Sequence, residues 1–320
     1  MSLTRRTLLA AGALLASAGA ALAFPDRPVQ IIVPWAAGGG TDTVVRIFAA
    51  GFEKELGVPV NVVNRAGGNG ITGHSAIANA APDGYTIGAA SPEIAFYKAL
   101  GTGDLTPASF DLFSRIALIP AGVTVKADAP YKTLADFLKA AKDSPKGTLM
   151  ASGTGTGGSW HIAAGGLMKS AGLEADRLRW VPSQGGAPAL QDVAAGGITA
   201  FTGSPIEAKS LMEAGKVRVL ALMTSERQAT FPDIPTTKEA GLDWVYENWF
   251  ALVAPKGMAQ DRREKLFESA KRAMAQAEVQ NALKQRGIAP VWDAPGEFER
   301  YLAGFVDRGT AVLKELERAK

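Results

Sequence analysis

Residues 29–56, VQIIVPWAAGGGTDTVVRIFAAGFEKEL, decide the fold class of this chain. The stretch begins with an apolar run that ends at Pro34, continues through a glycine-rich loop, and then carries apolar residues at helical spacing from Thr41 to Leu56. An apolar run, a tight loop and an amphipathic segment together indicate one strand–loop–helix unit of an α/β protein. We therefore predict that the chain is built from such units.

The same alternation recurs along the rest of the chain. We predict strands at residues 60–63, 85–89, 148–151, 178–181, 198–201 and 217–223, and helices at residues 73–80, 133–142, 160–171 and 187–195. Two longer helices follow at about residues 262–286 and 295–318. Strands that alternate with helices indicate parallel sheets that are covered on both faces.

A second glycine-rich loop, residues 152–159, lies far from the first along the chain and also precedes a predicted helix. Two such units indicate two similar lobes rather than one extended sheet. The predicted fold class is therefore α/β, with two Rossmann-like lobes joined by crossing strands near residues 116–125 and 249–253. The predicted boundaries are residues 24–120 and 249–320 for lobe 1 and residues 121–248 for lobe 2.

The N-terminal residues predict export. Arg5 and Arg6 precede an uncharged run over residues 7–20, and Ala21-Leu22-Ala23 has the small residues that signal peptidase requires. We predict a cleaved signal peptide over residues 1–23, with a twin-arginine-like start that leaves both export routes open. The apolar run is shorter than a comfortable membrane span.

The composition excludes several classes of function. The chain is 47% hydrophobic and 20% charged with a formal net charge of +3, which does not indicate a nucleic-acid binder. It has no cysteine and only two histidines, His74 and His161, which argues against disulfides and against a metal site. The nucleophile motif G-x-S-x-G and the zinc motif H-E-x-x-H are absent. We therefore expect no enzyme activity, no cofactor and no metal.

The first glycine-rich loop predicts an anion site. The first N–H groups of a helix have no partner within the helix and lie at the positive end of its dipole, so they can bind an anion without an arginine. Gly38, Gly39 and Gly40 allow the backbone to come within contact distance of a ligand. Thr41 or Asp42 can cap the helix at the same time.

The second loop repeats this arrangement and adds hydroxyl groups that can donate to a carboxylate. These belong to Ser152, Thr154, Thr156 and Ser159. Neither loop contains lysine or arginine, which favours a carboxylate over a polyphosphate. Glycine-rich turns between strand and helix also occur for geometric reasons alone, but a matched loop in each lobe favours one shared ligand.

The second loop also supports a competing interpretation. Gly153, Gly155 and Gly158 match the dinucleotide pattern G-x-G-x-x-G. However, Glu174 precedes the next predicted strand instead of ending it, so it is poorly placed to meet a ribose. An exported NAD(P)-dependent oxidoreductase that uses residues 153–158 stays as the alternative, and a structural or adhesive protein is a third possibility. For His161 we favour a packing role over ligand contact, and we expect His74 at the surface.

A succession of motifs in fixed order resembles the Bug family, the periplasmic binding components of tripartite tricarboxylate transporters. The motifs that carry the resemblance are FPDRPV (24–29), IVPW (32–35), GGGTD (38–42), NR (64–65), APDGYT (81–86), residues 152–161, PSQGGAP (182–188), PDIPTT (232–237) and WFALVAP (249–255). The resemblance spans essentially the whole chain after the predicted signal peptide.

The resemblance implies a Venus-flytrap architecture in which both glycine loops hold one carboxylate between the lobes. It also implies a small di- or tricarboxylate ligand, delivery to membrane subunits of a tripartite tricarboxylate transporter, a periplasmic location and a monomer. The candidate ligand-binding residues are Trp35, Ala37, Gly38, Gly39, Gly40, Thr41, Asp42, Ser91, Ser152, Gly153, Thr154, Thr156, Ser159, His161, Gly185, Gly186, Thr202 and Ser204. The chain departs from the commonest family pattern at Glu93 and Glu247, and Glu93 is expected to place a negative charge near the cleft.

Overall fold

A computed structural model describes residues 24–294 and 296–318, so the predicted signal peptide lies outside the described residues. The strands are β1 (Val29–Val33), β2 (Val60–Asn64), β3 (Thr86–Ala90), β4 (Phe110–Pro120), β5 (Gly122–Lys126), β6 (Met150–Ser152), β7 (Arg179–Val181), β8 (Ala200–Phe201), β9 (Val217–Leu222), β10 (Glu247–Pro255) and β11 (Ala289–Pro290). The helices are α1 (Gly40–Leu56), α2 (Ile71–Ala78), α3 (Leu134–Asp143), α4 (Ser159–Ser170), α5 (Gly186–Ala195), α6 (Pro205–Glu213), α7 (Gln260–Ala275), α8 (Ala277–Lys284) and α9 (Glu297–Arg318).

The strands form two sheets, and the chain is the two-lobed α/β protein that the sequence predicted. One sheet has the order β11-β4-β10-β3-β1-β2, and the other has the order β7-β6-β8-β5-β9. In the first sheet, β1 pairs with β2 and β3 in parallel, whereas β10 pairs with β3 and β4 in antiparallel orientation. Both sheets contain parallel and antiparallel pairs, because the strands at the crossings run antiparallel to their neighbouring strands.

Two crossings connect the lobes, and their backbones are hydrogen-bonded to each other. Ala121 alone separates β4 in the first sheet from β5 in the second. Its N–H donates to Tyr246 O at 3.0 Å, and its carbonyl accepts from Met223 N at 2.8 Å. The chain thus passes between lobes at two adjacent points, which is the arrangement of a hinge. The residue boundaries of the lobes stay a prediction.

The C-terminal helix α9 packs against both lobes. Near its start, the Phe298 ring lies 5.2 Å from the ring of Trp249 on β10. Near its end, Val312 and Leu316 pack so closely on Gly165 of α4 that a Cβ atom there would lie 2.9 Å and 3.3 Å from them. The helix therefore forms a third connection between the lobes, although the sequence assigned it to lobe 1.

Two predictions about secondary structure and burial need correction, and one helix was missed. The helix predicted at residues 262–286 is two helices, because the backbone at Gln276 is extended, with φ −65° and ψ 129°. Helix α6 was not predicted. His74 is fully buried rather than at the surface, and its Nδ1 lies 2.7 Å from the Tyr97 hydroxyl.

Candidate functional site

A cavity of about 330 Å³ lies between the lobes. Among the predicted site residues, those that line it are Trp35, Ala37, Gly38, Gly39, Gly40, Thr41, Thr154, Gly185, Gly186 and Ser204. The lining residues that the sequence analysis did not select are Ala36, Glu93, Ile119, Trp160, Gln184, Ala187, Pro188, Glu207, Asn248 and Phe250.

The start of α1 forms one wall of the cavity. Gly38 has φ +83°, a left-handed conformation that favours glycine, and the extended backbone of Gly39 then leads into the helix. A Cβ atom on Gly39 would lie 3.9 Å from Oε1 of Glu207 across the cleft. Because Gly39 is the N-cap residue and Thr41 lies in the first turn, their N–H groups have no carbonyl partner within the helix and can serve a ligand.

Asp42 holds this loop in place from inside the protein and does not line the cavity. Its carboxylate accepts from Gly38 N at 2.9 Å, Arg46 Nε at 3.0 Å and Asn64 Nδ2 at 2.8 Å. Burial opposes ionisation, but the hydrogen bonds from Arg46, Gly38 and Asn64 outweigh it and lower the pKa of Asp42. Neither Thr41 nor Asp42 is therefore the N-cap residue of α1. Gly39 holds that position, and Asp42 reaches back to accept from Gly38.

The start of α5 forms the opposite wall. Gly185 is its N-cap residue, and residues 185–188 all line the cavity. A Cβ atom on Gly186 would lie 2.0 Å from Oε2 of Glu207, so a larger residue at this position would displace the Glu207 side chain. The cavity therefore lies between two helix N-termini, α1 in lobe 1 and α5 in lobe 2.

The second glycine loop contributes little to the cavity. Its successive amides are used within the protein: Gly157 N donates to His161 Nδ1 at 3.0 Å, and Gly158 N donates to Gly155 O at 3.1 Å. Ser159 N, at the start of α4, donates to Oε1 of Glu93 at 3.1 Å. A carboxylate of lobe 1 thus occupies the helix start that the sequence assigned to the ligand.

Several predicted contacts of lobe 2 lie beneath the cavity wall. The Ser152 hydroxyl donates to Val181 O at 2.7 Å, and the Thr202 hydroxyl donates to Trp160 O at 3.0 Å. The Ser159 hydroxyl donates to Asn248 Oδ1 at 2.8 Å. Gly153 lies directly against Trp160, because a Cβ atom there would come within 2.6 Å of its side chain. These residues support the wall instead of lining it.

Thr156 and His161 lie at a different surface cavity of about 340 Å³. The His161 ring stacks on Trp180 with 4.6 Å between the ring centroids. The structure therefore does not bring these two predicted residues to the cavity between the lobes. Glu247 also lies outside that cavity, beside Tyr301 and Arg308 in a smaller one.

Ser91 and Glu93 form a buried hydrogen-bonded pair, here called the Ser91–Glu93 support, which holds Trp35 on the lobe 1 side of the cavity. The Ser91 hydroxyl accepts from Trp35 Nε1 at 3.1 Å and donates to Oε2 of Glu93 at 2.7 Å. Glu93 is only 3% exposed. Burial raises its pKa, although the hydrogen bonds from Ser91 and Ser159 oppose that shift. Ser91 therefore acts on the cavity through Trp35 and Glu93, without lining it.

Glu207 reaches across the cleft from α6. It receives a hydrogen bond from the backbone of Gly40 at the start of α1, and its Oε2 lies against Gly186 at the start of α5. Glu207 is half-buried as a residue, but Oε2 is buried and has no hydrogen-bond partner in the described part of the chain. Burial, opposed by the hydrogen bond from Gly40, raises the pKa of Glu207 to about 7.

The remaining walls are aromatic and uncharged. Trp35, Trp160 and Phe250 line the cavity together with the amides of Gln184 and Asn248. The lining includes no lysine, arginine or histidine. Over residues 24–294 and 296–318, no group of three or more histidine, cysteine, aspartate or glutamate side chains could hold a metal ion. Over the same residues, no helix combines the length and apolarity that a membrane span requires.

A protein-family model for the tripartite tricarboxylate transporter family receptor matches residues 44–318. The chain belongs to this family. The receptor is 29% identical to the protein BugT of Bordetella pertussis over 98% of each chain. Among solved structures, it is similar to MatC from Rhodopseudomonas palustris with bound malate, with 27% identity, a TM-score of 0.81, and coverage of 90% of this chain and 99% of that one. It is equally similar to the R. palustris protein Rpa4515 with adipate, with 27% identity, a TM-score of 0.81, and coverage of 91% and 98%.

The sequence contained a signal for Glu207 that the prediction did not use. Ser204, Pro205 and Glu207 stand at the N-cap, N1 and N3 positions of α6, which is the capping-box pattern with proline at its preferred place. Ser204 does cap the receptor's helix, since Ile206 N donates to its hydroxyl at 3.2 Å. The glutamate crosses the cleft to Gly40, which no local pattern could indicate.

Proposed function

We propose that this receptor captures a small carboxylate between its lobes and delivers it to the membrane subunits of a tripartite tricarboxylate transporter. It acts in the periplasm, as a monomer, after removal of residues 1–23, and it catalyses no reaction. The observation that carries the proposal is the cavity between the lobes, where the starts of α1 and α5 both present backbone N–H groups. The malate and adipate bound to the two similar structures support a carboxylate ligand.

The geometry explains why binding would close the lobes. A carboxylate loses its hydration in the cavity, and several convergent N–H donors compensate that loss. Because one wall belongs to lobe 1 and the other to lobe 2, the ligand makes its full set of contacts only in the closed form. It stabilises that form by its extra affinity for it, and the transporter subunits then recognise the closed shape.

The lining restricts the ligand within this class. Glu93 and Glu207 are the acidic residues of the cavity, and no cationic side chain lines it in the described part of the chain. Like charges repel strongly in a site of low dielectric, so these two side chains disfavour a ligand that carries several negative charges. Among the di- and tricarboxylates that the resemblance implied, a tricarboxylate is therefore disfavoured.

The second glycine loop gives no support to the oxidoreductase alternative. Glu93 occupies the α4 start, where a pyrophosphate would have to lie. A Cβ atom on Gly155 would lie 2.8 Å from Asn69 Oδ1, so the loop is packed against lobe 1. These two contacts leave neither the helix start nor the middle of the loop free for a dinucleotide phosphate.

The test is a thermal-shift screen of the exported, natively folded protein. Because a ligand that binds only the folded state raises the melting temperature, at least one mono- or dicarboxylate should raise it by several degrees. Mass spectrometry of small molecules that co-purify with the protein should identify a carboxylate. If NAD or NADP raised the melting temperature and no carboxylate did, the oxidoreductase alternative would be correct. No shift with any compound would indicate a structural protein.

A further inference from the structure

The position of Glu207 is unusual for a carboxylate-binding cavity. Its carboxylate lies between the starts of α1 and α5, the place where two helix dipoles favour one shared negative group. One oxygen lies toward Gly39 and Gly40, whereas Oε2 is buried against Gly186 without any donor in the described residues. A buried carboxylate oxygen without a donor is costly, so the Glu207 carboxylate, which lines the cavity, is suited to a ligand that brings its own donor.

Glu93 adds a second carboxyl group to the same cavity. Its two oxygens accept from Ser91 Oγ and Ser159 N, so the side chain is held in one orientation. It also uses the amide at the α4 start, which removes that helix from the sites available to a ligand carboxylate. The cavity therefore offers N–H donors at two helix starts and carboxylates at two other points, but no cation.

The aromatic walls fit the same kind of ligand. Trp35, Trp160 and Phe250 line the cavity beside the two glutamates. The faces of aromatic rings attract cations, most strongly where water is excluded. Aromatic rings and carboxylates without basic residues form the environment that stabilises a buried ammonium group.

We propose that Glu207 and Glu93 make this receptor selective for a small carboxylate that also carries an ammonium group, with Glu207 as the direct acceptor of that group. The inference rests on the proposed function and narrows its ligand class. The ligand carboxylate binds the free N–H groups at the starts of α1 and α5. The ammonium donates to the carboxylate of Glu207, and the carboxyl group of Glu93 and the aromatic faces stabilise it further.

The experiment compares matched compounds that differ by one amino group. Isothermal titration calorimetry at neutral pH measures the dissociation constants of L-aspartate against succinate and of 4-aminobutyrate against butyrate. In the wild-type protein, the aminated member of at least one pair should bind about tenfold tighter or more, as expected for a buried charge-assisted hydrogen bond.

Two variants then test whether Glu207 causes the preference for the aminated compound. Glu207→Gln keeps the shape of the side chain but removes its charge, so the preference should fall to less than about threefold. Glu213→Gln changes an exposed glutamate on the same helix and should leave the preference unchanged. Melting temperatures of both variants close to the wild-type value establish that they fold. The wild-type comparison remains decisive even if Glu207→Gln does not fold.

Two results would overturn the inference without touching the proposed function. One is tighter binding of the compound without the amino group, accompanied by proton uptake, which would assign Glu207 as a neutral acid that donates to a second carboxylate. The other is an aminated preference that Glu207→Gln leaves intact. If no carboxylate of either kind bound, the proposed function would fail together with the inference.

Discussion

The starts of α1 and α4 follow glycine-rich loops of similar composition, one in each lobe, yet residues 35–41 all line the cavity whereas the α4 side contributes only Thr154 and Trp160. At α4, the amide of Ser159 is bonded to Glu93. At α1, Asp42 and Glu207 take the amides of Gly38 and Gly40, but those of Gly39 and Thr41 have no partner within the helix. The difference teaches that a glycine-rich loop before a helix becomes an anion site only where some of its amides remain unused. Whether those amides remain unused depends on a residue that is distant in sequence.

The largest expected effect concerns His74, which contacts Ser91 and therefore the Ser91–Glu93 pair, and it is a dependence of stability on pH. Burial lowers the pKa of His74 to about 3, and its Nε2 accepts from Ser91 N at 3.4 Å. The unfolded chain binds a proton near pH 6.5 and the folded one does not, so the free energy of unfolding falls as pH decreases below 6.5. The loss should reach roughly 3 kcal/mol at pH 4, and urea titrations at pH 7 and pH 4 measure it.

The matched variant for that measurement is His74→Asn, which should be less stable at pH 7 but should lose less additional stability between pH 7 and pH 4. An equal loss in both proteins would show that other groups carry the pH dependence. In that case, His74 would have no special role in holding the Ser91–Glu93 support.

The next effect tests the α1 start. A valine at Gly39 would project toward Glu207 Oε1 and block close approach to the backbone, so carboxylate affinity should fall by well over tenfold, about 1.4 kcal/mol or more. Calorimetry with the carboxylate identified in the screen measures it. Gly197→Val is the control, because Gly197 is exposed and distant from the cavity lining. Equal affinities would remove α1 from the site.

A smaller effect tests whether the α4 start is closed only because Glu93 occupies it. Glu93→Ala frees the Ser159 amide and removes a negative charge, so succinate should bind several-fold tighter than to the wild-type protein. Glu93→Gln retains an oxygen that can accept from Ser159 and should show a smaller gain. If neither variant gained affinity, the amide at α4 would be unsuited to a ligand carboxylate for another reason.

The smallest effect concerns His161, which follows the second loop but lies at the separate surface cavity with Trp180. His161→Ala should change the dissociation constant of the carboxylate by less than about twofold, because the side chain lies outside the cavity between the lobes. Stability should fall measurably, since the stacked ring is lost. A large loss of affinity without a loss of stability would return His161 to the site.

Local patterns predicted most of the fold. The helix predicted at residues 133–142 is α3, and Thr133 caps its start, with Asp136 N donating to the Thr133 hydroxyl at 3.1 Å. The break at Gln276 was not predictable from its neighbours. Its side chain donates to Gly51 O and Glu55 Oε1 of α1, so packing against another helix is associated with the bend. Propensity is a weak guide where such tertiary contacts compete with it.

The candidate site shows the same division between features that local patterns predict and features that depend on tertiary contacts. Residues 35, 37–41, 185 and 186, which line the cavity, could be selected from the sequence because glycine loops and quoted motifs are local features. Glu207, Trp160, Asn248 and Phe250 were missed because each enters the cavity from an element whose orientation depends on closure of the two lobes. The second loop was overestimated because its composition does not reveal that Glu93 lies at its helix start.

The sequence by itself determined the α/β class, the strand–loop–helix units and the positions of helix N-termini, because these follow from periodicity and from the conformations that glycine permits. Only the tertiary structure decided which N-termini face the ligand. Whether an amide is free depends on side chains that are distant in sequence, and Glu93 and Glu207 reach the opposite lobe only after the chain has crossed the hinge.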